Sequence, residues 1–248
     1  PIINLLGIDS SEKIQAIIAV TGQAEEGHYL FFTTRQGTVK RTTVTAFANI
    51  RSNGLIAIGL KEEDELVNVL LTDGKSNIII GTHNGYSVTL AEEAVRDMGR
   101  TASGVRGIRL REDDYVVGAA LMNEDHEVLI ITEKGYGKRT KVTEYPVKGR
   151  GGKGIKTANI TEKNGPLAGL ATVVGKEDIM IITDKGVIIR FNVSTVSQTG
   201  RATLGVRLIK MEADTKVVTM AAVEPEATEE IGNSTEVVGE ISPDQPEE

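Results

Sequence analysis

The chain has 248 residues, neither cysteine nor tryptophan, and a formal net charge of −7. The missing cysteines exclude a disulfide scaffold and a thiolate-ligated zinc site, and they suit a reducing, cytoplasmic setting. No apolar run approaches the ~18 residues that a membrane-spanning helix requires, and no signal-peptide pattern opens the sequence.

Taken in chain order, the elements repeat. Residues 4–17, "NLLGIDSSEKIQAI", align with residues 58–70, "IGLKEEDELVNVL". The sequence is therefore expected to begin inside a repeat, with upstream sequence cut away. Four units follow, each an apolar β-rich run, a Thr-x-x-Gly turn and a second strand: "YLFFTTRQGTVKRT", "NIIIGTHNGYSVTL", "EVLIITEKGYGKRT" and "DIMIITDKGVIIRF". Their turn glycines, Gly37, Gly85, Gly135 and Gly186, are spaced 48, 50 and 51 residues apart. A second set, Gly54, Gly104, Gly154 and Gly205, follows with spacings of 50, 50 and 51. Both sets are read as structural glycines. Gln36-Gly37 and Asn84-Gly85 fit tight hairpin turns, where glycine adopts positive φ without steric cost.

Each unit closes on further strands and an acidic turn, such as "LKEEDELVNV" and "LREDDYVVGA". These turns are expected to connect blades rather than bind metal. Residues 90–99, "LAEEAVRDMG", form the one helix-like patch and are read as a short turn. Apolar runs of four to six residues, rich in Ile and Val, predict strands rather than core helices. The fold class is all-β: a propeller-like array of four-stranded blades with a period of about 50 residues. Residues 1–223 form this body. Residues 224–248 carry nine acidic residues, no Lys or Arg and three of the six prolines, and are expected to be a disordered acidic tail. Without the tail the chain has 28 basic and 26 acidic residues, a nearly neutral body.

The cations recur with the repeat. Four residues after each turn glycine come Arg41, Thr89, Arg139 and Arg190, preceded by Lys40, Val88, Lys138 and Ile189. An arginine precedes each glycine of the second set: Arg51, Arg100, Arg150 and Arg201. Two residues after those glycines stand Ile56, Arg106, Lys156 and Arg207. Equivalent positions in successive blades lie on one rim, so a neutral body would carry a basic strip there. Such a strip suits the phosphate backbone of duplex DNA, whose charge is contacted without reading sequence. Single strands would call for stacking aromatics, which make up only 4% of the chain. Glycines among the cations are expected to let backbone N–H groups approach phosphate.

Other chemistries fit poorly. "GRGGKG" at 149–154 matches G-x-G-x-x-G as text, but "IKTANIT" follows and predicts a strand where a dinucleotide fold needs a helix. A P-loop fails because Ile155 separates Gly154 from Lys156-Thr157. His28, His83 and His126 lie in different repeats and are read as solvated hairpin residues. No catalytic constellation and no metal site is expected.

With repeats and cations placed, "GTVKRT", "RSNGLIAIGL", "TASGVRGIRL", "EKGYGKRT", "EYPVKGRGGKGI" and "VSQTGRATLGVRLI" closely resemble the C-terminal domains of DNA gyrase A subunits, members of the type IIA topoisomerase family. The resemblance covers residues 1 to about 223. It implies a six-bladed β-pinwheel, in which neighbouring blades exchange strands, and a basic rim that wraps duplex DNA and supports ATP-dependent negative supercoiling. It also implies that this chain is the non-catalytic part of an A2B2 enzyme, partnered by the gyrase B subunit, with ATP and Mg used by other domains. The family carries a box, Gln-Arg-Arg-Gly-Gly-Lys-Gly, in its first blade. Residues 148–154 match it at Arg150, Gly151, Gly152, Lys153 and Gly154, with Lys148 for Gln and Gly149 for Arg, and read as a box-like copy in a later blade. The alternatives are the matching domain of the topoisomerase IV A subunit, or a protein-interaction propeller. The DNA-facing residues are then Lys40, Arg41, Arg51, Arg100, Arg106, Lys138, Arg139, Lys148, Arg150, Lys153, Lys156, Arg190, Arg201 and Arg207.

Overall fold

The structure, a computed structural model, describes residues 14–18, 27–49, 54–212 and 214–225. The readings made for residues 4–13, for Arg51 and for the acidic tail from 226 onward lie outside the described residues.

The four expected hairpins are present: β1 (Tyr29–Thr34) with β2 (Thr38–Thr43), β4 (Asn77–Thr82) with β5 (Tyr86–Ala91), β8 (Glu127–Thr132) with β9 (Tyr136–Lys141), and β12 (Asp178–Thr183) with β13 (Ile188–Asn192). Each is flanked by a long inner strand: β3 (Leu66–Thr72), β7 (Val116–Met122), β11 (Leu167–Val173) and β15 (Val217–Val223). Three two-residue strands complete the set: β6 (Val105–Arg106), β10 (Ile155–Lys156) and β14 (Val206–Arg207). The sheets run β3-β1-β2-β6, β10-β5-β4-β7, β11-β8-β9-β14 and β13-β12-β15. Each two-residue strand comes from the segment after the next hairpin along the chain, so every blade but the fourth is finished by its neighbour.

The turns explain the Thr-x-x-Gly signature. In the first three hairpins, three residues join the strands, with a turn that ends on a glycine in the left-handed region. Gly37, Gly85, Gly135 and Gly186 each donate N–H to the carbonyl of the turn threonine, at 2.9–3.0 Å. The threonine hydroxyls of Thr34, Thr82, Thr132 and Thr183 accept from the N–H four residues on, at 3.1–3.3 Å. These threonines are buried, so the side chain must supply that acceptor. The acidic turns add a second tie. Asp64 accepts from Thr34 Oγ1 and the Gln36 N–H, and Asp114 accepts from Thr82 Oγ1 and the Asn84 N–H. They pin a hairpin turn to its inner strand. The helix-like patch is the 3-10 turn Glu92–Ala94, and each of the other hairpins ends in a similar turn.

Neighbouring blades are clasped through the turn glycines. The Gly37 carbonyl accepts the N–H groups of Gly107 and Ile108, Gly85 those of Thr157 and Ala158, and Gly135 those of Leu208 and Ile209. The core lies in slabs between blades. Ile78 and Ile80 of β4 pack towards Phe31 and Val39, whereas Ile79 packs towards Val128 and Ile130. Both faces of a middle hairpin are therefore buried, which is why its strands read as unbroken apolar runs rather than as an alternation. β12 buries mainly one face, through Ile179 and Ile181.

The second glycines sit where the exchanged strand crosses its host. Gly154 has φ +72°, and a Cβ there would stand 2.6 Å from the Ser87 carbonyl oxygen. Gly186 has φ +76° with nothing within 4 Å of a Cβ. Gly154→Ala should lower unfolding free energy by about 2 kcal/mol or more, from positive φ plus the clash, and Gly186→Ala by only about 1 kcal/mol. Urea titration of the two variants checks the difference.

Candidate nucleic-acid interface

The exchanged strands place one cation each at the same register of successive outer edges. Arg106 pairs opposite Thr38, Lys156 opposite Tyr86 and Arg207 opposite Tyr136. All three are exposed. Arg207 leans on its host strand, with Nη2 donating to the Tyr136 hydroxyl at 3.0 Å. Lys156 Nζ reaches the neighbouring Asn159 amide oxygen, at 3.4 Å.

The box-like loop lies against this edge. Gly151 donates to the Gly107 carbonyl at 2.6 Å, and the Arg109 N–H donates to Gly152 at 2.8 Å, so the loop pairs with the neighbouring repeat. A Cβ on Gly151 would lie 3.7 Å from the Arg106 carbonyl. The side chains of Lys148, Arg150 and Lys153 are exposed, and Arg150 Nε donates to the Ala94 carbonyl at 3.0 Å. Arg109 and Arg111 join the group. Arg111 stacks 3.3 Å from the Tyr86 ring centre and donates from Nη1 to the Lys153 carbonyl at 2.6 Å. Recurrence in the sequence does not single out these two arginines, although their place just beyond Arg106 on the exchanged segment is a usable signal. Of the glycines in this loop, Gly151 spends its N–H on the Gly107 carbonyl rather than offering it to phosphate, and Gly154 packs on the Ser87 backbone. A strand, β10, follows the loop, so no helix N-terminus faces a nucleotide phosphate there.

Two expected DNA contacts are interior. Lys40 and Lys138 are fully buried on β2 and β9. Lys138 Nζ is ringed by the carbonyls of Gly200, Arg201 and Thr203 and by the Thr203 hydroxyl, with the Gly200 bond at 2.8 Å. Lys40 Nζ donates to the carbonyls of Ala57 and Arg100. Burial pulls both ammonium groups down to about 8; Arg100 adds to the effect at Lys40, while Glu144 opposes it at Lys138. Both lysines lock the next repeat's loop onto the hairpin and cannot reach a phosphate. In the second blade, Val88 takes the same position within the apolar core.

The hairpin arginines are turned to their own sheets. Arg139 Nη1 contacts Glu127 at 2.8 Å and its Nε donates to the Val196 carbonyl; Arg190 Nε contacts Asp178 at 2.8 Å. Arg41 lies 4.4 Å from the Tyr29 ring centre and 3.9 Å from the buried Glu92 carboxylate. The partners Tyr29, Glu127 and Asp178 each stand twelve residues before their arginine, a regularity visible in the sequence. Arg201 is half-buried, its N–H held by Glu144 and its Nη1 by the Lys156 carbonyl. Arg100 is half-buried beside the Lys40 cage. His83 is not a solvated hairpin residue: it stacks on Tyr115 of its own blade at 4.3 Å and meets Glu133 of the next at 3.4 Å, joining two blades. Among the described residues no cluster of His, Asp or Glu could hold a metal, and no helix is long and apolar enough to cross a membrane.

These features define a class: a strand-exchanged β-propeller with a basic residue at one register of its outer strands. The sequence model described as DNA gyrase C-terminal domain, beta-propeller, matches residues 28–73, 76–121, 126–173 and 177–224, one stretch per blade. The chain belongs to this family. The DNA gyrase A subunit of Streptococcus pneumoniae is 58% identical over 240 residues, 97% of this chain and 29% of that protein. The chain thus spans less than a third of that relative's length. Among solved structures, the C-terminal domain of DNA topoisomerase IV superposes with a TM-score of 0.83 at 30% identity, covering 90% of this chain and 70% of that one. The DNA gyrase A C-terminal domain gives 0.79 at 23% identity, covering 89% and 74%, and is alike in fold.

Removing the Lys138 ammonium leaves the carbonyls of Gly200, Arg201 and Thr203 without this donor, which costs about 1–3 kcal/mol. Lys138→Met should lower unfolding free energy by about that much. Denaturant titration checks the loss, and an unchanged salt dependence of DNA binding checks the interior assignment.

Proposed function

We propose that this chain binds and wraps duplex DNA on its outer rim, as the wrapping domain of a DNA gyrase A subunit. The carrying observation is the shared register of Arg106, Lys156 and Arg207 on three exchanged strands. A cation repeated at one position per blade meets a polyanion whose charges repeat along a bent path. The contacts go to phosphate, so binding is independent of sequence and falls with salt as counterions are released. Lys148, Arg150 and Lys153, with Arg109 and Arg111, thicken the strip at one junction. Bending duplex DNA costs several kcal/mol, which repeated backbone contacts offset.

The chain performs no chemistry in this reading. It lends wrapped DNA to ATP-driven negative supercoiling by an assembly of A and B subunits in the cytoplasm, with ATP and Mg held by other domains. The 58% identity to a gyrase A subunit favours gyrase over topoisomerase IV. Lys40 and Lys138 leave the interface, and Arg41, Arg139 and Arg190 serve mainly as intrasheet partners.

Arg106→Ala, Lys156→Ala and Arg207→Ala combined should flatten the slope of log K against log salt by roughly 3, each lost phosphate contact removing about 0.9. Fluorescence anisotropy on a duplex across a salt series measures it. Relaxing a plasmid with a nicking-closing enzyme in the presence of the chain should leave a linking-number shift that the triple variant loses. An unchanged slope and an unchanged shift would refute the rim assignment.

A further inference from the structure

The hairpin arginines lie along their own sheets, and the second blade has no arginine at that position. Arg41, Arg139 and Arg190 engage Tyr29, Glu127 and Asp178, the residues twelve positions earlier. Arg41 and Arg139 are largely buried there, at 12% and 18% exposed. In the second blade the matching pair is Thr89 and Asn77, both short and uncharged. The register is unchanged: Thr89 bridges to Val147 as Arg41 does to Asp97 and Arg139 to Gln198. What differs is the volume that the shorter side chains leave open.

A cavity of about 400 Å³ lies at that place, between the second and third blades. Met122 and Val147 supply apolar wall, Asn77 and Thr89 short polar groups, and Glu124 an exposed carboxylate. Tyr145 also lines it. Its carbonyl is the repeat equivalent of the Val196 carbonyl, which accepts from Arg139 Nε at 2.8 Å. Among the described residues nothing donates to the Tyr145 carbonyl. No Lys or Arg lines this cavity, and the nearby Lys148 lines a separate one with Ser87 and Gly154.

We propose that this cavity binds a guanidinium group from outside the chain, an arginine side chain of another polypeptide or a free alkylguanidinium, in the place that Arg41 and Arg139 fill in their own blades. A guanidinium offers a planar fork of donors to carbonyl and carboxylate oxygens, and its methylene stem packs on apolar wall. In the third blade the acceptors are the Glu127 carboxylate and the Val196 carbonyl. In the second blade Glu124, the Asn77 amide oxygen and the Tyr145 carbonyl supply them. Apolar wall with a few convergent polar groups is the general form of a small-ligand site. An ammonium group carries the same charge without the fork, so the site distinguishes the two.

Titrating the ¹⁵N-labelled 248-residue chain with n-butylguanidinium, read by amide chemical shifts, tests this. The amides of Thr89, Tyr145 and Val147 should shift and saturate at millimolar concentration. At the same ionic strength n-butylammonium should bind at least about tenfold more weakly. Thr89→Arg rebuilds the internal arginine and should abolish binding in a folded chain. Glu124→Gln, at an exposed position, should weaken binding about threefold. A blocked Gly-Arg-Gly peptide separates the two sources. Affinity about tenfold above that of n-butylguanidinium assigns the site to a polypeptide arginine, and equal or lower affinity assigns it to a free guanidinium compound. The proposal falls if those amides stay unmoved, if n-butylammonium binds as well, or if a folded Thr89→Arg variant still binds. Should Thr89→Arg not fold, unchanged affinity in Glu124→Gln overturns it instead.

Discussion

The architecture depends on one interaction, the pair of hydrogen bonds that the carbonyls of Gly37, Gly85 and Gly135 each accept from the next repeat. Gly37, Gly85 and Gly135 can take two donors because no side chain fills the space in which the incoming strand lies. That contact positions β6, β10 and β14, and these strands hold the exposed cations. A residue type chosen for its lack of a side chain thus sets the spacing of the charges. The Thr-x-x-Gly signature serves the same end, because the threonine hydroxyl fixes the turn that presents the carbonyl.

The cations divide by the direction of the strand position that bears them. Positions on β2 and β9 that face the next repeat put Lys40 and Lys138 in the interior, where carbonyls replace water around the ammonium. The adjacent positions lean back onto their own sheet, so Arg41 and Arg139 find an aromatic ring or a carboxylate. The cations of the exchanged strands and of the loop at 148–153 turn their charge outward. The result is a rim with fewer but better exposed cations than the count of Lys and Arg suggests.

Much of the fold was legible because the repeat is long and its punctuation regular. The four hairpins, both glycine sets and the all-β class follow from spacing alone. The sorting of the cations was not legible from recurrence, because a buried lysine recurs as faithfully as an exposed one. Lys40 and Lys138 alternate with Val88 and Ile189, and that substitution by apolar residues was the sign of an interior position. Similarly, the acid or ring twelve residues before each hairpin arginine marked a cross-strand pair. The function of Asp64 and Asp114 depended on which turn lay opposite them, and only tertiary structure supplies that.

Strand exchange also separates two boundaries that coincide in most repeat proteins. The unit of sequence similarity runs from one hairpin to the next, but the unit that completes a sheet is offset from it by one two-residue strand. Excising a single repeat would therefore damage two sheets, its own and the one it finishes. Gene duplication could lengthen or shorten such an array in whole units, because each inserted repeat brings both a vacancy and the piece that fills one. Adjacent repeats are accordingly expected to unfold as coupled pairs, with a partial opening at one blade felt first at the outer edge of the blade before it.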